Sequence, residues 1–209
     1  MGKNRKNRNN QPTKTNETGD MPDDLILKMK DWQYSPSVSP SEYLSQEEIQ
    51  YIKEHMENAS KDSDVPTGHL TRVEKAYHIL DENGNIKYEV GDLLDLNSVF
   101  RSFSREPNAT AEYLIDHTLA DSSDVVVYRT SGGVEHYNIT EHTNAWINEK
   151  ESWVEPSKLR VDKITTFSSD NYDMEKVIQD ELVTNDYNWH ASFYDELPSS
   201  ITFIDVSPQ

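Results

Sequence analysis

The sequence predicts an α+β domain with mostly antiparallel strands. Strand-like alternation dominates from about residue 69 onward, several of these runs are joined by short turns, and helical periodicity is confined to a few stretches. A chain of 209 residues can bury a sizeable core in one domain.

Residues 1–22 are expected to be a flexible basic tail, because the first twenty contain almost nothing apolar enough to offset the entropy of ordering. Residues 23–209 are expected to form the single domain. The segment 21–44, rich in Pro, Ser and aromatics, reads as an extended stretch lying on the domain surface or as linker. A helix begins after Ser45, where Ser45 and Glu48 have capping-box spacing and Ile49, Ile52, Met56 and Ala59 form a stripe.

Periodicity then changes. Residues 69–80 and 86–90 read as the arms of a hairpin around Asn83-Gly84, a pair that supplies positive φ. Residues 96–104 read as a strand. A helix from Pro107 presents Ala111, Leu114 and Ile115, with proline suited to its first turn. Strands follow at 124–130 and 134–140 around a Ser-Gly-Gly turn, then a long alternating run from Trp153 to Ile164, a helix near 173–183, and a terminal strand at 199–206.

Charge excludes several function classes. The first twenty residues carry five Lys/Arg against two acids, whereas the remainder carries 15 against 36, for a net charge of -18. Such a body repels nucleic acid and anionic membrane and attracts basic partners, so no nucleic-acid binding is expected of it. The absence of cysteine rules out thiolate metal sites and a cysteine nucleophile. No apolar run reaches the ~18 residues of a membrane span, and the basic start has no apolar stretch behind it, so a cytoplasmic protein is expected. The seven histidines show no metal-ligand spacing and no Gly-rich phosphate loop is present, so no metal is expected.

The chemistry-bearing residues are two glutamates, two serines and an arginine. In extended backbone, residues two apart share a face, so Glu149 and Glu151 can enter one cleft while Lys150 points away. Taken alone, a Glu-x-Glu in so acidic a chain is a solvated charge cluster. Upstream, Ser102 and Ser104 share a strand face and Phe103 faces the other way; Ser104 also fits a turn or cap before the helix. Arg72 lies in an alternating strand, where an exposed arginine is ordinary by itself.

Their order, Arg72, then Ser102-Phe103-Ser104, then Glu149-Lys150-Glu151, resembles the arginine, Ser-x-Ser, Glu-x-Glu series of arginine-type mono-ADP-ribosyltransferases. The likeness spans about residues 65–165: 124–140 is similar to the strand and turn this family places between serines and glutamates, and 149–161 resembles its Glu-x-Glu loop running into a Pro-containing strand. Val73 stands where many relatives have Gly, and Phe103 where Thr is commoner. Arg129 also sits in a Tyr-Arg strand, but after the serines, which favours Arg72.

The resemblance implies a fold of two packed sheets around an NAD cleft with a short N-terminal helical part. It implies NAD as substrate, Glu151 on the ribose and facing the developing cation, Ser102 orienting Glu151, and Arg72 on the NAD phosphate, with Phe103 and Ser104 completing the nucleotide-binding set. Glu149 would engage an acceptor arginine on a basic host protein. Small size and acidity make the chain similar to compact bacteriophage enzymes of this kind. Two other readings remain: an inactive acidic binding protein that mimics nucleic acid, and an NAD glycohydrolase using water as acceptor.

Overall fold

The computed structural model describes residues 22–33, 42–59, 61, 65, 69–115, 124–130, 132–143, 150–183 and 197–209. Three helices precede or interrupt the early strands: α1 (Asp23–Gln33), α2 (Gln46–Glu54) and α3 (Pro107–Ile115). Two more, α4 (Ile139–Thr143) and α5 (Met174–Glu181), follow later. Eight strands, β1 (Glu57–Asn58), β2 (Thr71–Lys75), β3 (Arg101–Ser104), β4 (Asp124–Thr130), β5 (Glu135–Asn138), β6 (Glu151–Val154), β7 (Leu159–Ser168) and β8 (Ser200–Pro208), form a sheet in the order β1-β5-β6-β3-β2-β4-β8-β7.

The α+β class with mostly antiparallel pairing is as expected, and among the described strands only β4 with β8 runs parallel. The two expected sheets occur as two halves of one curled ladder. They join through a single register pair, Thr71 with Ser104. Phe103 and Val154 of one half pack with Val126, Tyr128, Ile204 and Val206 of the other in one buried cluster. Burying both inner faces against each other is what curls the sheet.

A second cluster seats α3 and α5 on the outer face of β4 and β8, through Ala111, Leu114, Val177 and Ile178 against Val125, Val127, Ile201 and Phe203. The Asp173 side chain accepts from the Lys176 amide and so starts α5 where a helix was expected. A third cluster brings α1 and α2 onto β5 and β6 and onto Phe100, just ahead of β3. The Ser45 capping box forms in full, with both reciprocal bonds present. The stripe it starts ends at Ile52, because Met56 and Ala59 lie beyond the helix and Ala59 joins the first cluster.

Three expectations change. The segment 21–44 is helical over Asp23–Gln33, with Leu25, Met29 and Trp32 buried at i, i+4 and i+7, so it is a packed helix where an extended stretch was expected. The turn at 81–85 forms, with Gly84 at φ 80° and the Asp81 amide donating to Asn85, yet the hairpin arms pair only at Leu80 with Ile86. β2 instead takes β4 as its long partner, because that register carries Val73 and Val127 into the second cluster. Finally, the run from Trp153 to Ile164 is broken by a 3-10 turn at Pro156–Lys158, which carries the chain from β6 in one half to β7 at the far edge of the other. Proline fits the start of that turn because it lacks the amide a ladder would need.

Candidate active site

The opening of the sheet between its halves builds the site. In the antiparallel β3–β6 pair, Ser104 stands opposite Glu151 and Ser102 opposite Trp153. Ser102 and Glu151 are therefore diagonal neighbours on one face. The Ser102 hydroxyl donates to Oε1 of Glu151. Glu151 is the first residue of β6, and all four residues of that strand are buried.

The other carboxylate oxygen is also held. Gln33, the last residue of α1, donates from Nε2 to Oε2 of Glu151 at 2.8 Å, and Gln33 is only 4% exposed. The helix is seated there by Trp32, which meets Trp153 edge-on at 5.5 Å while Phe100 stacks on the same indole at 5.9 Å. Gln33 was not anticipated, since 21–44 was read as surface chain. The Leu25, Met29, Trp32 spacing was the signal that could have found its helix.

Arg72 reaches the same corner from β2. Its Nη1 donates to the Ser102 carbonyl at 2.7 Å and its Nε to Glu74 at 2.7 Å. The β2–β3 ladder has already parted beyond Thr71, so the guanidinium satisfies a main-chain acceptor that strand pairing leaves. Nη2 has no partner among the described residues, and the side chain is 20% exposed.

Burial works against ionisation of Glu74, yet Arg72, followed by Arg101 and His78, holds its carboxyl below the ordinary range. Glu151 goes the other way: burial pushes its carboxyl above the ordinary range, and the bonds from Ser102 and Gln33 and the charge of Arg72 only partly oppose this. The pair thus has one carboxylate committed to an arginine and one whose carboxyl burial raises.

Arg105 braces the approach to Glu151. Its Nε and its own amide both donate to the Lys150 carbonyl, at 3.0 and 3.1 Å, and its Nη2 donates to Asn138 at 2.6 Å. Lys150 is held at φ 45°, a left-handed conformation uncommon for a side chain of this kind. Arg105 is 2% exposed, which makes it part of the scaffold.

Of the residues singled out from the sequence, Arg72, Ser102 and Glu151 converge. Ser104 lies alongside, its hydroxyl bonding the amide and carbonyl of Glu106 in the turn into α3. Phe103 faces away into the core and is 1% exposed, so it can offer a nucleotide its backbone only. Glu149 lies outside the described residues. Arg129 lies elsewhere, in the wall of a cavity of about 540 Å³ also lined by Thr71, Pro107 and Asp205, with its guanidinium paired to Asp205 and Glu181. No described helix is long and apolar enough to cross a membrane.

Through these strands and helices the chain has the ADP-ribosyltransferase fold. The likeness that carries this is to Plx2a, an ADP-ribosyltransferase toxin from Paenibacillus larvae, at a TM-score of 0.50 and 9% identity over 90% of this chain and 87% of that one. Other similar structures are the C3 exoenzyme of Clostridium limosum (TM-score 0.47, 9% identity, 91% and 87% covered) and an ADP-ribosyltransferase of Clostridium botulinum (0.46, 11%, 90% and 87%). By sequence, no family model and no curated protein matches the chain.

Proposed function

We propose that this chain is an NAD-dependent mono-ADP-ribosyltransferase that moves ADP-ribose to a protein arginine and releases nicotinamide. The observation that supports it most is the Ser102 hydroxyl on the buried Glu151 carboxylate at the head of β6, in a chain with the ADP-ribosyltransferase fold.

The reaction breaks the bond between ribose C1′ and the nicotinamide nitrogen, and the electron pair leaves with nicotinamide. Positive charge develops on the sugar. A carboxylate fixed beside that charge stabilises the transition state more than the ground state. Glu151 takes this role, accepting from the ribose 2′-hydroxyl, with Ser102 keeping it in place. Arg72 offers its Nη2, which has no partner among the described residues, to an NAD phosphate as a charge-assisted donor. Ser104 and the Phe103 backbone lie beside it.

Glu149 receives the acceptor. A guanidinium nitrogen bonds to C1′ and gives up a proton, and a carboxylate both matches the guanidinium fork and accepts that proton. The net charge of -18 favours a basic target. We read the protein as an effector of phage or bacterial origin acting on a host protein in the host cytoplasm.

The test is incubation of the purified protein with NAD labelled on its adenylate half and a lysate, following nicotinamide release and mapping labelled residues by mass spectrometry. Label on arginine is the expected result. Release without protein label assigns a glycohydrolase with water as acceptor, label on another residue removes the arginine assignment, and no release at all leaves the acidic binding protein.

A further inference from the structure

We infer that Gln33 is a positioning residue for Glu151, holding the second carboxylate oxygen so that the plane of the carboxylate is set before any substrate arrives. The kinetic part of this rests on the transferase reading above; the geometric part does not.

A glutamate with one oxygen tied down can still turn about its last torsion, which is broad and has no staggered wells. Ser102 alone therefore fixes a point, whereas a second donor from another element fixes a plane. Ser102 belongs to β3 and Gln33 to α1, so the two bonds approach Glu151 from separately anchored supports. The second support is rigid for a stated reason: Trp32, adjacent to Gln33, packs edge-on against Trp153, two residues from Glu151 on the same strand face. One contact thus seats the helix and sets the distance of its terminal amide from the acid.

Burying an amide is costly unless it is hydrogen-bonded. Leucine or methionine at position 33 would fill the same space in an apolar cluster without that cost. The amide instead donates to Oε2, and a carboxylate oxygen has two lone pairs, so Oε2 retains capacity for a substrate hydroxyl. Among the described residues, the charged and polar groups facing Glu151 are Arg72 with its partner Glu74 from β2, Ser102 and the register partner Ser104 from β3, and Gln33 from α1. From α4, Thr140 donates to its backbone carbonyl at 3.3 Å. Among these, Gln33 is the neutral donor on the oxygen that Ser102 does not use. Removing it should make the carboxylate harder to ionise and freer to rotate.

The test compares wild type with Gln33→Met, which keeps the length and loses the donor, and with Gln33→Glu, which keeps the shape. The Glu151 carboxyl is titrated by carbon NMR without substrate, and kcat and KM for nicotinamide release are measured across pH. For Gln33→Met the expected results are a titration midpoint displaced upward, kcat lower by about tenfold or more at neutral pH, and KM for NAD changed by about twofold or less. For Gln33→Glu, activity should recover on acidification, where the introduced carboxyl is protonated and can again donate. An unmoved Glu151 midpoint in Gln33→Met, or a kcat per folded molecule equal to wild type, overturns the inference and leaves Gln33 as packing. If Gln33→Met does not fold, recovery of Gln33→Glu at low pH decides the matter alone. Should wild type release no nicotinamide, the transferase reading falls while the NMR titration still decides whether Gln33 positions Glu151.

Discussion

Arg105 grips the carbonyl of Lys150 twice, through its side-chain Nε and its own backbone amide, and Lys150 is the residue that hands the chain into Glu151. The register of β6 against β3 thus depends on a buried guanidinium one residue past the Ser-x-Ser. Arg105→Met should destabilise the protein by about 2 to 4 kcal/mol, since Asn138 and the Lys150 carbonyl lose a buried charged donor. Urea unfolding checks the stability. Nicotinamide release at a temperature where the variant is still folded should also drop, and full activity there would show that β6 keeps its register unaided.

Glu151 should trade stability for chemistry. Burial raises its carboxyl in the folded state, so the folded protein holds that proton to higher pH than the unfolded chain does. The contribution of this group is therefore most favourable in acid and is lost as pH rises from the ordinary glutamate range through the raised value. Glu151→Gln removes the penalty. At neutral pH it should be more stable than wild type, with the difference closing as pH falls to the ordinary range. Turnover should fall by about 10² to 10³. A variant that is less stable at neutral pH, or that cleaves NAD normally, contradicts the assignment.

Arg72→Lys should raise KM for NAD because an ammonium cannot hold Glu74, the Ser102 carbonyl and a phosphate in one plane. Arg129, already paired with Asp205 and Glu181, is not placed to substitute. Equilibrium binding of NAD separates this from a change in chemistry, and unchanged affinity would move the phosphate role away from Arg72.

Glu149→Gln should retain much of the nicotinamide release and lose arginine-linked ADP-ribose. In the proposed reaction the cation would form beside Glu151, and water could reach it when the acceptor guanidinium is no longer held and deprotonated. Both products are followed on the same samples. An equal fall in both would mean that the two carboxylates act as one unit, and no change in either would return the pair to a solvated charge cluster.

Local rules made several elements readable. Ser45 and Glu48 announce α2 because a capping box is satisfied entirely within four residues. Pro107 opens α3 for a similarly local reason. The contact of Ser102 with Glu151 was what the family resemblance implied, and the β3–β6 register makes it a diagonal pair.

Long-range packing decided the rest. The Leu25, Met29, Trp32 stripe is ordinary helical spacing, but the Pro- and Ser-rich residues after it obscured that periodicity, and only the contact with Trp153 determines which surface the helix covers. The Asn83-Gly84 turn formed as its residues dictate, yet β2 left the hairpin for β4, because burying Val73 beside Val127 outweighs extending a nearby ladder. Residue types and spacing along the chain thus determined the starts of α2 and α3, the turn, and the acid, serine and arginine of the candidate site. Which donors reach Glu151 from afar, Gln33 across 118 positions of sequence, was decided by tertiary structure, because burial rewards a contact without regard to the separation of its partners along the chain.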